Sequence, residues 1–439
     1  MKTTIFQANQ GDCLLLTGSD GVNILVDGGM KGSYKDHVSR TMGKLAKDEK
    51  KIDMLCVSHI DLDHINGIIQ LIDDLGDWRV YKYQQESGNT GFPEPKRPKP
   101  PEVSDIWHNS FKDLVDDNTE AIEDQLVANM KLLNMSTRIL PNDIAKHTAD
   151  FNELALGVKE SLVLSNKIGE NQLKIPWNRQ FGKKLIMIED PAHPPPMIPV
   201  GGLDIFVLGP FKKDIEKLRD EWNDWLRENQ EAVINIRRKA AEDAENLPMD
   251  EGQLIASYML ALAAELGNRN AVTTPNLASI MFLLEEDGKT VLMTGDGFGK
   301  DILKGLKAQD KLDSDGRLHV DVLKLQHHGS EHNIDKEFCE AITADHYVIC
   351  ANGSHENPDL EVLRLIIDSR IGKEAAGPHA HKVFKLWFNS SVKMAGTKNR
   401  EKHMREVEKL VRKRAQSSGS PRKLRYRFLT RGSTLTFEI

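Results

Sequence analysis

The chain has 439 residues, of which 39% are hydrophobic and 28% charged, with a mean hydropathy of −0.46; this is the balance of an ordinary globular protein long enough to bury one large, elaborated core. Its longest apolar stretch, residues 258–264, is far short of the ~20 residues a spanning helix needs, so no membrane partner is expected. The net charge is −7, yet residues 393–431 hold fourteen Lys/Arg against three Glu, so a basic segment of +11 follows a body of −18 and invites a polyanion as ligand.

In chain order, MKTTIFQANQGD lacks the basic-then-apolar layout of a secretory leader and reads as the opening of a strand. Short apolar runs at 3–6, 13–16 and 23–26 flank Gln10-Gly11-Asp12 and end in Asp27-Gly28-Gly29. Residues 53–58 form a nearly continuous apolar run, the pattern of a strand covered on both faces. HIDLDH follows at once, and then a helix whose face is marked by Ile65, Ile68, Ile69 and Ile72. The His/Asp cluster thus falls on a strand-to-helix loop, where α/β proteins place their chemistry.

From residue 89 the pattern breaks into a first, mostly helical insertion over 89–182, opened by a Pro-rich linker at 93–102, with helical spacing at 107–135 and two shorter helices within 141–167. Strand character returns at 183–190 and 203–210. A second helical insertion over 212–271 follows, with a long charged helix at 212–246 and another at 251–266. Residues 279–296 predict a hairpin turning at Asp287-Gly288. Strands are expected at 320–326 and 346–350, a helix at 360–371, a basic segment at 393–432 and a last alternating strand at 433–439. The four cysteines lie far apart in apolar runs with no CxxC, which suits free thiols in a reducing cytoplasm.

Four strand ends deliver acidic or imidazole side chains: HIDLDH (His59, Asp61, Asp63, His64), TGD (Asp296), QHHGS (His327, His328) and GSHENP (His355). Taken singly each has a plain explanation, such as Asp63 capping a helix. Four ligand-type side chains within six residues, directly after a buried strand, are costly to place without a compensating cation.

These residues resemble the HxHxDH signature of the metallo-β-lactamase superfamily, with Asp61 where the second His stands. The set QGDCLLL…ILVDGG, SHIDLDHING, VLMTGD and LKLQHHGS is similar, in order and at each strand end, to the hydrolase domain of ComEC-type DNA-uptake proteins, over residues 1–88, 183–211 and 276–360. The resemblance implies one α/β domain over 1–439, a four-layer αββα sandwich carrying two insertions. This chain has no membrane channel, so it reads as a free-standing relative.

The resemblance also implies two divalent metal ions, Mn or Zn with Mg as a further candidate. His59 and Asp61 would hold the first, Asp63 and His64 the second, and Asp296 would bridge them. His327 or His328 would complete the second, with His327, nearer the strand, as the assignment; Asn276 stands where the superfamily places a further His. Asp63 would also orient the attacking water, and His328 and His355 would serve the scissile phosphate or the leaving group.

The function that follows is a phosphodiesterase or nuclease acting on DNA or RNA. Two alternatives remain: hydrolysis of a small phosphodiester or ester, because a fold does not fix a substrate, and a scaffold subunit of a multi-protein assembly, such as one in anti-phage defence. In the latter, the insertion helices would dock protein partners.

Overall fold

Short apolar runs bounded by turn residues give fourteen strands among the described residues, arranged in two sheets. The computed structural model describes residues 1–110, 114, 157, 160–220, 278–419 and 422–439. The helix expected at 251–266, most of those expected at 107–135, 141–167 and 212–246, and Asn276 lie outside them.

The first sheet contains β1 (Lys2–Phe6), β2 (Leu14–Thr17), β3 (Asn23–Val26), β4 (Met54–Val57), β5 (Ile106–His108) and β14 (Thr434–Glu438), in the order β14-β1-β2-β3-β4-β5. The last strand pairs with the first, Phe6 opposite Thr434, as its clean alternation predicts. Trp107, expected to begin a helix, lies in β5 and extends this sheet beside β4, so the 89–182 segment is not helical throughout.

The second sheet contains β6 (Ile198–Val200), β7 (Leu203–Gly209), β8 (Met281–Glu286), β9 (Lys289–Met293), β10 (Leu318–Lys324), β11 (Ile342–Ile349), β12 (Phe384–Phe388) and β13 (Leu424–Phe428), ordered from β13 down to β6. The β8–β9 hairpin turns on Asp287 (φ 50°) and Gly288 (φ 74°), the left-handed pair that a two-residue turn demands. Residues 183–190 do not form the strand their apolar run suggests. Ile186 and Ile188 are buried, but only a single bridge, Ile188 to Phe211, is made.

The helices include α1 (Ser39–Lys47), α2 (Leu62–Glu86), α3 (Gly299–Ala308), α4 (Lys336–Ala341), α5 (Leu360–Ile371) and α6 (Lys398–Gln416); residues 160–168 and 212–220 are helical as well. Three buried clusters bind these parts together. One joins the facing surfaces of the sheets, with Leu14, Ile24 and Met54 against Val207, Phe282 and Val322. A second packs Ile65, Ile68 and Ile72 of α2 on the outer face of the first sheet. The third packs Ile302, Phe338, Leu363 and Met404 on the outer face of the second.

β9 through β13 are parallel neighbours, so their C-terminal ends share one rim. Close backbone approaches seat the first sheet's turns against the start of α2. A Cβ on Gly11 would fall 1.8 Å from the Asp63 carbonyl, and one on Gly67 would fall 1.9 Å from the Gly28 carbonyl, so only glycine fits at either place. Through these contacts Gly28 N–H donates to His64 O and Gly67 N–H to Gly29 O, fixing the QGD and DGG turns against the start of α2. Among the described residues, no helix is long and apolar enough to cross a membrane.

Candidate metal centre

β4 ends at Val57, and the chain turns through Ser58–Asp61 into α2. Asp61 holds the N-cap position, yet its side chain makes no capping bond, and Asp63 lies in the first helical turn. Capping therefore does not account for Asp61, and the positive end of the helix favours both carboxylates there. From the opposite sheet, the chain leaving β9 brings Asp296. The chain leaving β10 brings His327 and His328, both on left-handed backbone (φ 45° and 58°). Non-glycine residues held this way cost energy and concentrate at functional sites.

The side chains converge on one carboxylate oxygen. Asp296 Oδ2 lies 3.5 Å from His64 Nε2, 3.7 Å from His59 Nε2, 3.7 Å from His328 Nε2 and 3.9 Å from His327 Nε2. His59 Nε2 is also 3.4 Å from Asp61 Oδ2, and His328 Nε2 is 3.1 Å from Asp63 Oδ2. His59, His64 and Asp296 are 3% exposed or less, and His59 Nε2, His64 Nε2 and Asp296 Oδ1 have no hydrogen-bond partner among the described residues. Buried polar atoms left without partners are costly. Imidazole nitrogens and carboxylate oxygens aimed at one point are a donor set that suits a divalent metal ion. His59, His64 and Asp296 alone bring three ligand atoms within 4.8 Å of one another.

The sites named from sequence separate into three groups. His59, Asp61, Asp63, His64 and Asp296 come together. Of the QHHGS pair, His328 is buried and faces both Asp63 and Asp296. The His327 side chain is about a third exposed (32%), and its Nδ1 is 2.6 Å from Asn333 Oδ1. His355 stands exposed on the turn after β11, and none of the short contacts that join the cluster involves it among the described residues.

Sequence reasoning assigned no role to a layer of residues beneath these ligands. Asp27, itself left-handed at φ 56°, accepts from Ser58 N–H (2.8 Å) and Ser58 Oγ (2.7 Å) and lies 2.9 Å from His64 Nδ1. This orients His64 with Nε2 toward Asp296, as outer partners orient metal-binding imidazoles. His328 Nδ1 lies 2.8 Å from the Cys350 carbonyl and 3.4 Å from Asp12 Oδ1. Asp12, His64 and His328 also bring ligand-type atoms close together, but both Nδ1 atoms already have partners. Asp12 is moreover paired with the buried Lys324, whose Nζ donates to the Gly295 carbonyl and lies 3.6 Å from Asp296 Oδ1. That group reads as support rather than as a second metal site. The available signals were the positions of these residues in the QGD, DGG and LKLQHH stretches.

Charge follows the geometry. Burial opposes the charged form of His64, but Asp296, Asp27, Asp63 and Asp12 outweigh it and hold its pKa well above the ordinary value. For His328 the same opposition from burial is overcome by Asp296, Asp12 and Asp63, which push it up to about 10. Burial acts to raise the carboxyls of Asp63 and Asp296; His64 and His328, joined for Asp296 by His59 and Lys324, reverse this and hold both below the usual range. Lys324 is raised, with Asp12 and Asp296 overcoming its burial.

Residues 7–125 match the family model of the metallo-beta-lactamase superfamily. No curated protein matches the chain. The matched stretch contains Asp12, Asp27 and the whole HIDLDH loop, while Asp296 and His328 lie beyond it and reach the same centre through the second sheet. Two sheets with helices packed outside them are consistent with the metallo-beta-lactamase fold, and the superfamily whose model matches is one of metal-dependent hydrolases. Divalent ions in such a centre polarise a scissile ester and lower the pKa of water. The chain's own groups would bind them with His59, Asp61, Asp63, His64, Asp296 and His328, while Asp27, Asp12 and Lys324 hold those ligands in place.

Proposed function

We propose that this protein is a metal-dependent phosphodiester hydrolase acting on nucleic acid, DNA or RNA, from a four-layer αββα domain of the ComEC type. The observation that carries the metal chemistry is the convergence of four imidazole nitrogens within 3.9 Å of Asp296 Oδ2, beside the carboxylates of Asp61 and Asp63. We assign His59 and Asp61 to a first divalent ion, Asp63, His64 and His328 to a second, and Asp296 to both. His327, at the exposed edge, is free to meet the substrate or to complete the first site, where Asn276 stands in the sequence. Buried free thiols at all four cysteines suit a cytoplasmic protein.

A phosphodiester substrate is favoured over a neutral ester by the ComEC-like motif set and by the cations of the 393–432 segment. The test is hydrolysis of labelled single- and double-stranded DNA and RNA by metal-stripped protein given Mn²⁺, Mg²⁺ or Zn²⁺. Metal-dependent cleavage of at least one polymer supports the reading. Cleavage of a nucleotide dimer without any polymer would replace it with a small-substrate enzyme, and failure to bind any of the three ions would leave a scaffold.

A further inference from the structure

The basic segment is not one continuous stretch of charge. Its helix α6 buries Met404, Val407, Val411 and Ala415 against the second sheet. On the other face Arg405, Lys409, Arg412 and Lys413 recur at the spacing of a single helical stripe. With Lys393 they line an open groove of about 700 Å³, which carries five cations against one carboxylate, Glu408. Glu408 is already engaged by Arg412 Nη2 at 2.6 Å and by the Val392 N–H at 3.0 Å, and Lys409 pairs with Glu406. Lys393, Arg405 and Lys413 are exposed and have no carboxylate partner among the described residues. Arg414 pairs with Asp368 and does not line the groove.

Position gives this charge a direction. Val392 and Lys393 follow the C-terminal end of β12, and Thr430, at the other lip, follows that of β13. Asp296 follows β9, and His328 follows β10. Because β9 to β13 are parallel neighbours, the groove and the metal centre open on the same rim. Three strand spacings of ~4.8 Å separate β10 from β13, or about 14 Å. That is roughly four phosphates along one strand of a duplex at ~3.4 Å each.

We infer that the α6 groove is a second phosphate-binding surface, gripping backbone phosphates of the nucleic-acid strand several nucleotides from the one presented to Asp296. The inference rests on the phosphodiesterase reading above. An acidic protein segment would also be attracted by five cations, but it would have no reason to meet them in line with the metal rim.

The test uses the full chain stripped of metal and a fluorescent single-stranded oligonucleotide, comparing the wild type with the combined variant Lys393→Ala, Arg405→Ala, Lys413→Ala. All three side chains are exposed, so the fold should hold, and an unchanged melting temperature verifies it. The variant should bind a long oligonucleotide at least 10-fold more weakly, with the slope of log affinity against log salt reduced by about 0.7 for each phosphate no longer held, or about 2 in total. Once a divalent ion is returned, metal content and hydrolysis of a dinucleotide, too short to reach the groove, should be unchanged. Equal affinity and slope would overturn the inference, as would polyglutamate competing as well as an oligonucleotide of equal charge. If instead the variant loses oligonucleotide binding while the wild type cleaves no phosphodiester with any ion, the groove stands and the phosphodiesterase reading falls.

Discussion

Nε2 of His328 lies 3.1 Å from Oδ2 of Asp63, and this contact closes the centre across the two sheets. Asp63 arrives from the first turn after β4, His328 from the turn after β10, and neither sheet holds the ligand set alone. The same contact distinguishes the two adjacent histidines. His328→Ala should lower metal affinity on the order of 100-fold or more, at or beyond what losing an outer-layer partner costs. His327→Ala should lower it much less. Titration of metal-stripped protein with Mn²⁺ measures both; a larger loss in the His327 variant would reverse the assignment.

Lys324 offers a test of the layer beneath the ligands. Its ammonium is fully buried between Asp12 and Asp296, so Lys324→Met leaves two buried carboxylates with only the neighbouring imidazoles to offset them. Breaking a buried pair from one side costs about 3–5 kcal/mol. Denaturant unfolding of the metal-free variant should show a loss of that size, and added divalent metal, which supplies charge to Asp296, should restore part of it. A loss below ~1 kcal/mol would mean that Lys324 carries little of this charge balance.

Much of this centre was legible in the sequence because its ligands are concentrated. HIDLDH packs four donors into six residues after a buried strand, and Asp296 and the histidine pair each end an unmistakable strand. The Asp287-Gly288 turn and the alternation of the last strand were equally local signals. Asp12, Asp27 and Lys324 were not legible as site residues, because an Asp in a turn or a Lys ending a strand looks the same whether or not it has a distant partner. Asp12 meets Lys324 across 312 positions. Residues 183–190 misled for the opposite reason: their apolar run reflects the burial of Ile186 and Ile188, and burial alone does not supply a pairing strand. Nor could a count of charges separate the cations lining the α6 groove from Arg414, which Asp368 neutralises.

The raised imidazoles predict a pH dependence with a definite sign. In metal-free protein, His64 stays protonated above its ordinary range and His328 does so up to about 10, so both carry protons at neutral pH. A metal ion binds neutral imidazole, so binding near pH 7 should release one to two protons and tighten as pH rises. Stability follows the same linkage. The contribution of these pairs to the metal-free fold is fully present below the ordinary histidine pKa of ~6.5 and is lost as pH rises through the folded value. Calorimetry in two buffers of different ionisation enthalpy counts the protons, and a count of zero at pH 7 would contradict the charge arrangement.

Ligand chemistry predicts which ion works best. Asp61 places a carboxylate near His59 where the superfamily signature has an imidazole, making the centre richer in oxygen. Harder oxygen donors suit Mn²⁺ and Mg²⁺, while zinc binds tightly whatever its fitness. Mn²⁺ should therefore support the fastest turnover and excess Zn²⁺ should inhibit. Asp61→His should shift the optimum toward zinc, and activity restored by zinc alone in the wild type would show that Asp61 does not set metal preference.

The most direct measurement is turnover of a labelled oligonucleotide by metal-stripped protein before and after reconstitution, in the wild type and in Asp296→Asn. All four imidazoles of the cluster converge on the Asp296 carboxylate. The wild type should be inactive when stripped and active once a divalent ion is returned, whereas Asp296→Asn, folded but with its metal content reduced, should lose at least ~10³-fold, about 4 kcal/mol of transition-state stabilisation. Cleavage that persists without metal, or that survives intact in the Asp296→Asn protein, would contradict a hydrolase built around this carboxylate.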